Sequence, residues 1–206
     1  MNTAIVSVID DEPDIRDALG MLLRSVGHDV KTYESAQAYW DNFDPGISGC
    51  LVLDVRMPGL SGIELQTRLN DLEYHPPIIM ISGHGEIPMA VSAIKDGAID
   101  FLQKPFSDQL LLDRVQQAIQ KDEEQRTKLK AINEIKNSYE KLTAREREVM
   151  EAITQGKLNK VIAYELDVST RTVEIHRARV MEKMGVRSVS SLTRKVAVLE
   201  ENNIIT

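Results

Sequence analysis

Apolar positions along this chain follow two rhythms. Residues 4–9 (AIVSVI), 50–53 (CLVL) and 78–81 (IIMI) are short, nearly continuous apolar runs rich in β-branched side chains. That is the pattern of strands buried on both faces of a parallel sheet. Fainter strand signals fall near 29–33 and 99–103. Between the runs the spacing becomes helical: Ile15, Ala18, Leu19, Leu22, Leu23 and Val26 recur on one face, and Gly27 stops them. Pro13 suits a first helical turn, and Ser35, Ser61 and Ser107 stand where helices open. A fourth helix near 87–96 is stopped by Gly97. Five strand–helix pairs in about 120 residues predict an α/β doubly wound, five-stranded parallel sheet.

Beyond residue 120 the rhythm is helical throughout. Residues 121–141 contain neither Gly nor Pro, so a helix continuing the fifth one is expected. Ile132, Ile135, Tyr139 and Leu142 fall at a 3-4-3 spacing. The spacing fits either a short coiled-coil-like seam or a helix packing on its own domain. Thr143 and Glu146 make a capping box, and Gly156 ends that helix. A short helix over 159–166, a turn at 167–169, a longer helix from the Ser169 cap to Met184 and a last helix bearing Leu192, Val196 and Leu199 complete an all-α four-helix domain. The expected organisation is a sheet domain over 1–120, a helical linker over 121–141 and a helical domain over 142–206.

Charge sharpens the division. The net charge of −7 is uneven. Residues 1–120 hold 8 basic and 18 acidic side chains, residues 121–141 hold 6 and 5, and residues 142–206 hold 11 and 9. An acidic front and a slightly basic back predict different partners for the two domains. The single Cys50 excludes an intrachain disulfide and suits a reducing cytoplasm, where it fills strand core. No apolar run reaches membrane-spanning length, and "MNTAIVSVIDDE" lacks the character of a secretory leader.

In doubly wound sheets, function gathers beyond the carboxyl ends of the strands. Asp10 and Asp11 follow strand 1, Asp54 follows strand 3, Ser82 follows strand 4 and Lys104 follows strand 5. Any one of these alone is an ordinary turn, cap or surface residue. Together they place three acids, a hydroxyl and an ammonium at four strand ends. Ionised acids in one place repel unless a cation joins them, and carboxylates with room for water suit Mg²⁺ or Mn²⁺. A metal beside a carboxylate invites a phosphoryl group, whose oxygens the metal and Lys104 would neutralise while Asp54 attacks phosphorus.

The stretches "VIDDEPDIRDAL", "LVLDVRMPGLSGIEL" and "IIMISGHGEIPMAVSAIKDGAIDFLQKPF" together resemble a response-regulator receiver domain over about residues 1–120. "SGHGEIPMAV" is closest to the FixJ-type branch. The resemblance implies that Asp54 accepts a phosphoryl group from a sensor histidine kinase. It also implies that Asp10, Asp11, Asp54 and the backbone carbonyl of Arg56 hold the metal. Lys104 would contact the phosphoryl group across a cis Lys104–Pro105 bond. Ser82 would move to the phosphate as Phe101 turns inward. The family often has Thr and Tyr at these two positions, and this chain keeps the hydroxyl and the ring. Haloacid-dehalogenase-like phosphatases also use an aspartyl nucleophile, but they need a second Asp two residues on, where this chain has Arg56.

The back end has helix-turn-helix lengths. On the helix from 170, Val173, Val180 and Met184 share a core side. Arg171, Glu174, Ile175, Ala178 and Arg179 lie opposite and would face a major groove. Lys157, Asn159, Lys160, Thr170, Thr172 and Lys183 flank them and would hold phosphates. His176 reads as a packing or capping residue, with no His or Cys nearby to share a metal. "LTAREREVMEAITQGKLNKVIAYELDVSTRTVEIHRARVMEKMGVRSVSSLTR" resembles the LuxR/NarL-type DNA-binding domain. The combined resemblance implies a phosphorylation-dependent transcription factor that forms a homodimer on phosphorylation, binds promoter DNA and meets RNA polymerase, with no membrane association. The alternative is a receiver-controlled protein-interaction module that never touches DNA.

Overall fold

The structure, a computed structural model, describes residues 4–83 and 87–205. His84, Gly85 and Glu86, inside the FixJ-like stretch, lie outside the described residues. Five strand–helix pairs come first: β1 (Ile5–Ile9) and α1 (Pro13–Ser25), β2 (Asp29–Tyr33) and α2 (Ala36–Asp41), β3 (Gly49–Asp54) and α3 (Gly62–Asn70), β4 (Ile78–Ser82) and α4 (Ile87–Lys95), β5 (Asp100–Gln103) and α5 (Asp108–Glu140). All strand pairs are parallel, in the order β2-β1-β3-β4-β5.

Strand parity builds two cores, one on each sheet face. Ile9, Leu51, Leu53, Ile78 and Met80 point to the side covered by Tyr39, Leu65, Leu69 and Ala93. Val6, Val8, Cys50, Val52, Ile79 and Ile81 point to the side covered by Leu19, Leu23, Leu111, Val115 and Ala118. This explains why β3 and β4 carry no polar alternation: every residue of each is buried. Helices start where the sequence provides caps. Ser35 Oγ accepts from the Ala38 N–H at 3.1 Å. Ser61 and Glu64 form a capping box, as do Thr143 and Glu146.

The chain divides into two compact bodies, residues 1–126 and 127–206. The expected linker began earlier, at 121. The difference has a cause: Asp122 is wholly buried within the first body, and Arg126 is bonded to it there. The second body holds α6 (Ala144–Thr154), α7 (Asn159–Glu165), α8 (Thr170–Lys183) and α9 (Val189–Glu201) around Val149, Met150, Ile162, Val173, Val180, Leu192 and Leu199. Ile135 and Tyr139 pack against this core, and Leu142 is buried in it. Packing on its own domain therefore accounts for three of the four positions of the 3-4-3 spacing.

Candidate functional site

The strand order changes direction between β1 and β3, and ligand sites of such sheets lie at that crevice. Ile9 pairs with Leu53, so Asp10 and Asp54 follow side by side. Both share the parity of Val8 and Val52, which brings the two carboxylates to the same side. Asp10 is fully buried and Asp54 is 5% exposed.

Lys104 lies between them. Its ammonium donates to Asp10 Oδ2 at 2.7 Å and to Asp54 Oδ1 at 2.8 Å. The second oxygen of each acid is held by backbone: the Glu12 N–H donates to Asp10 Oδ1 at 2.9 Å, and the Arg56 N–H to Asp54 Oδ2 at 2.7 Å. The Lys104–Pro105 peptide is cis. Lys104 is also tied by its main chain, donating to the Ser82 carbonyl at 2.8 Å. Ser82 itself is 1% exposed. Phe101 is half-buried against the core on the α3–α4 side. Asp11 is half-buried and lines an adjoining open groove with Arg56, Met57, Ser61 and Met89.

The tight turn after Asp54 depends on one glycine. A Cβ on Gly62 would stand 2.2 Å from the Asp54 carbonyl oxygen, so only glycine lets α3 begin so close behind the acid.

The electrostatics follow from burial and an excess of acids. Burial pushes the Asp54 carboxyl above its ordinary range, and Asp10 adds to the rise, against the opposing pull of Lys104 and the Arg56 N–H. Burial works against the Lys104 ammonium, but its bonds to Asp10 and Asp54 outweigh that and hold its pKa up. One ammonium thus serves two carboxylates, and the pocket keeps net negative charge. Among the described residues, no three acidic, His or Cys side chains are drawn together as a metal-holding group. The space between Asp10 and Asp54 is bridged by Lys104 instead.

In the second body, α8 is a two-faced helix. Val173, Val180 and Met184 are fully buried, while Arg171, Glu174, Ile175, Ala178 and Arg179 are exposed. Ser169 Oγ accepts from the Thr172 N–H at 3.1 Å and opens the helix, leaving Thr170 exposed beside it. Lys160 is exposed; Lys157 pairs with Glu165 at 2.7 Å, and Asn159 Oδ1 accepts from Arg177 at 3.4 Å. His176 is half-buried.

Lys183, expected from the sequence to hold a phosphate, is engaged within its own body: its ammonium bonds Glu146 at 2.6 Å and the Lys141 carbonyl at 3.0 Å. Burial alone would raise the Glu146 carboxyl, yet its bonds to Lys183 and Thr143 pull it below the ordinary carboxylate range. Lys183 therefore ties the end of α8 to the start of α6.

Sequence reasoning also missed Arg16, which donates to the Asp10 carbonyl at 2.7 Å and fixes the β1–α1 turn. Its place in the first turns of α1, six residues after Asp10, was the available signal.

Comparison with known proteins follows this division. The family described as "Response regulator receiver domain" matches residues 6–116, and "Bacterial regulatory proteins, luxR family" matches residues 140–196. The chain is 44% identical to the response regulator protein TmoT of Ectopseudomonas mendocina, over 97% of this chain and 90% of that protein. It is 42% identical to the transcriptional regulatory protein FixJ of Rhizobium meliloti, over 94% and 95%. Among solved structures, the response regulator StyR superposes with a TM-score of 0.86 at 42% identity, covering 95% of this chain and 98% of that one.

Proposed function

The chain belongs to the response regulators that join a receiver domain to a LuxR-family DNA-binding domain, and from that premise we propose that Asp54 is the residue that receives the phosphoryl group. Such a chain is a phosphorylation-dependent transcription regulator of a two-component system. This displaces the reading of the back end as an interaction module that never meets DNA. The observation that carries the Asp54 assignment is the Lys104 bridge. Both acids give one oxygen to Lys104 and the other to a backbone N–H, but Asp54 ends the central strand β3 and keeps 5% exposure where Asp10 is wholly buried.

The donors suit a hard divalent cation in kind: Asp10 and Asp54, with Asp11 in the adjoining groove, offer only oxygen, and one lysine leaves the two buried carboxylates under-neutralised. Asp10, Asp11, Asp54 and the Arg56 carbonyl would hold Mg²⁺ or Mn²⁺. When bound, the metal supplies positive charge for the phosphoryl oxygens. Asp54 attacks phosphorus while the donor, a histidine kinase, keeps the bonding electrons of its departing nitrogen. Lys104 then turns from the free carboxylate to a phosphoryl oxygen. Ser82 moves toward the phosphate, and Phe101 moves further inward. The chain catalyses no reaction beyond its own phosphorylation and dephosphorylation.

The output follows from two exposed surfaces. On α4, Ile87, Val91 and Ile94 are 80%, 47% and 44% exposed and fall on one face. Phosphorylation pairs two receivers through this α4–β5 side. On α8, Glu174, Ile175, Ala178, Arg171 and Arg179 read base edges, while Lys157, Asn159, Lys160, Thr170 and Thr172 hold backbone phosphates. Two linked DNA-binding domains gain through effective concentration what one lacks at cellular salt. We place the protein in the cytoplasm, acting at promoters with RNA polymerase. Among the described residues no helix is long and apolar enough to cross a membrane.

The test is footprinting on the organism's own DNA with and without a phosphodonor, for the wild type and Asp54→Asn. Phosphate-dependent protection in the wild type alone is expected. Equal response in the variant assigns the nucleophile elsewhere.

A further inference from the structure

At the opposite end of β3 from Asp54 stands another buried acid, apart from the pocket. Asp122, on α5, is fully buried although its neighbours 121, 123, 124 and 125 are exposed. Its Oδ2 accepts from Ser48 Oγ at 2.7 Å and from the Gly49 N–H at 2.9 Å. Its Oδ1 accepts from the Tyr74 hydroxyl. Arg126 Nε donates to both oxygens at 3.1 and 3.2 Å. The same guanidinium reaches the carbonyls of Pro45 at 3.0 Å, of Gly46 at 3.4 Å and of Ile47. It also lies over the Tyr74 ring, 4.4 Å from the centroid. Gly49 is indispensable to this arrangement. Its φ is +143°, and a Cβ there would stand 1.8 Å from the Ile5 carbonyl oxygen.

A buried carboxylate on an otherwise exposed helical stretch is unfavourable unless its charge and lone pairs are all met. Here four groups from three chain segments meet them. None belongs to the acid pocket, which lies roughly 16 Å away along the strand. What the cluster secures is the stretch of α5 that runs past the sheet. Without it, residues 120–126 would be a solvated helix held only by its own hydrogen bonds, and such segments fray.

We propose that Asp122, Arg126 and Tyr74 form a clasp that positions the output helix. It makes α5 through Arg126 a rigid part of the receiver body, so that a change at the receiver reaches residue 127 onward as movement of one helix. These are positioning residues; they take no part in phosphoryl chemistry. The proposal rests on the reading of Asp54 as the phosphorylated residue.

Full-length wild type, Arg126→Gln and Tyr74→Phe test it. Three readouts are taken with and without acetyl phosphate: phosphorylation of Asp54, hydrogen exchange of the 119–130 amides, and DNA affinity. In Arg126→Gln, phosphorylation stays within about twofold of wild type because the sites are distant and share no partner. The 122–130 amides exchange at least about tenfold faster. The phosphate-dependent gain in DNA affinity falls at least about fivefold, since coupling between the bodies is what gives the gain. Tyr74→Phe, which leaves Arg126 in place, gives the same changes in smaller degree and serves where Arg126→Gln does not fold. Faster exchange with the full gain retained reduces the cluster to a structural feature and overturns the proposal; unchanged exchange overturns it too. Absence of any gain in the wild type overturns both this proposal and the reading it rests on.

Discussion

The ammonium of Lys104 lies 2.8 Å from Asp54 Oδ1 while also holding Asp10 at 2.7 Å. Removing it leaves two adjacent buried carboxylates without the ammonium that joins them. Lys104→Met should lower stability by about 3 kcal/mol in metal-free buffer, the usual effect of taking one partner from a buried ion pair. Millimolar Mg²⁺ should restore more stability to the variant than it adds to wild type, by linkage. Denaturant unfolding with and without Mg²⁺ measures both; no Mg²⁺ effect on either protein would remove the acids from the metal-binding role.

Burial holds the Asp54 carboxyl above its ordinary pKa. Its ionised form is therefore disfavoured in the folded state, and acidification from the folded pKa toward the unfolded one favours folding. At neutral pH Asp54→Asn should be more stable than wild type, and the gap should narrow as pH falls. Phosphorylation by a small donor should decline on acidification at a pH above the usual carboxylate range, because a protonated carboxyl is no nucleophile. Urea titrations and a pH–rate profile check the two halves separately.

The surface of α8 predicts two kinds of DNA defect. Glu174→Ala should relax preference at one base pair by about 1–3 kcal/mol. Lys160→Ala should weaken all sequences alike and reduce the slope of log K against log salt by about 0.9. Lys183→Met should leave that slope unchanged and lower stability, because its partner Glu146 is only 2% exposed. Salt titrations of binding with the three variants distinguish these outcomes, and a reduced slope for Lys183→Met would return it to the phosphate contacts.

The exposed α4 face predicts a self-association defect. Ile87→Glu and Val91→Glu should abolish phosphate-dependent dimerisation in sedimentation runs. They should leave Asp54 phosphorylation intact, since neither side chain faces the pocket. Dimers that persist in both variants would move the interface elsewhere.

What was legible in the sequence was what is local. Continuous apolar runs marked β3 and β4, and Ser35, Ser61, Thr143 and Ser169 marked helix starts, because a cap's side-chain oxygen accepts from the backbone N–H three residues on. The pocket was legible because strand ends of a doubly wound sheet converge by topology. Two things were not. Asp122 lies 74 residues from Ser48 in sequence and 48 from Tyr74, and nothing nearby in "KDEEQR" separates a buried acid from solvated ones. Lys183 sits at the edge of the exposed face on a helical wheel, and only the partner 37 residues away decides which way it turns. Both are contacts between distant segments, invisible to periodicity.

On the proposed assignment Asp54, and no neighbouring acid, carries the phosphoryl group. Borohydride reduces an aspartyl phosphate to homoserine, which marks the residue permanently. The full-length protein should be treated with acetyl phosphate and Mg²⁺, reduced and mapped by peptide mass. A mark at Asp54 alone is the expected result; a mark at Asp10 or Asp11, or an equal yield from Asp54→Asn, would place the phosphoryl group on another residue.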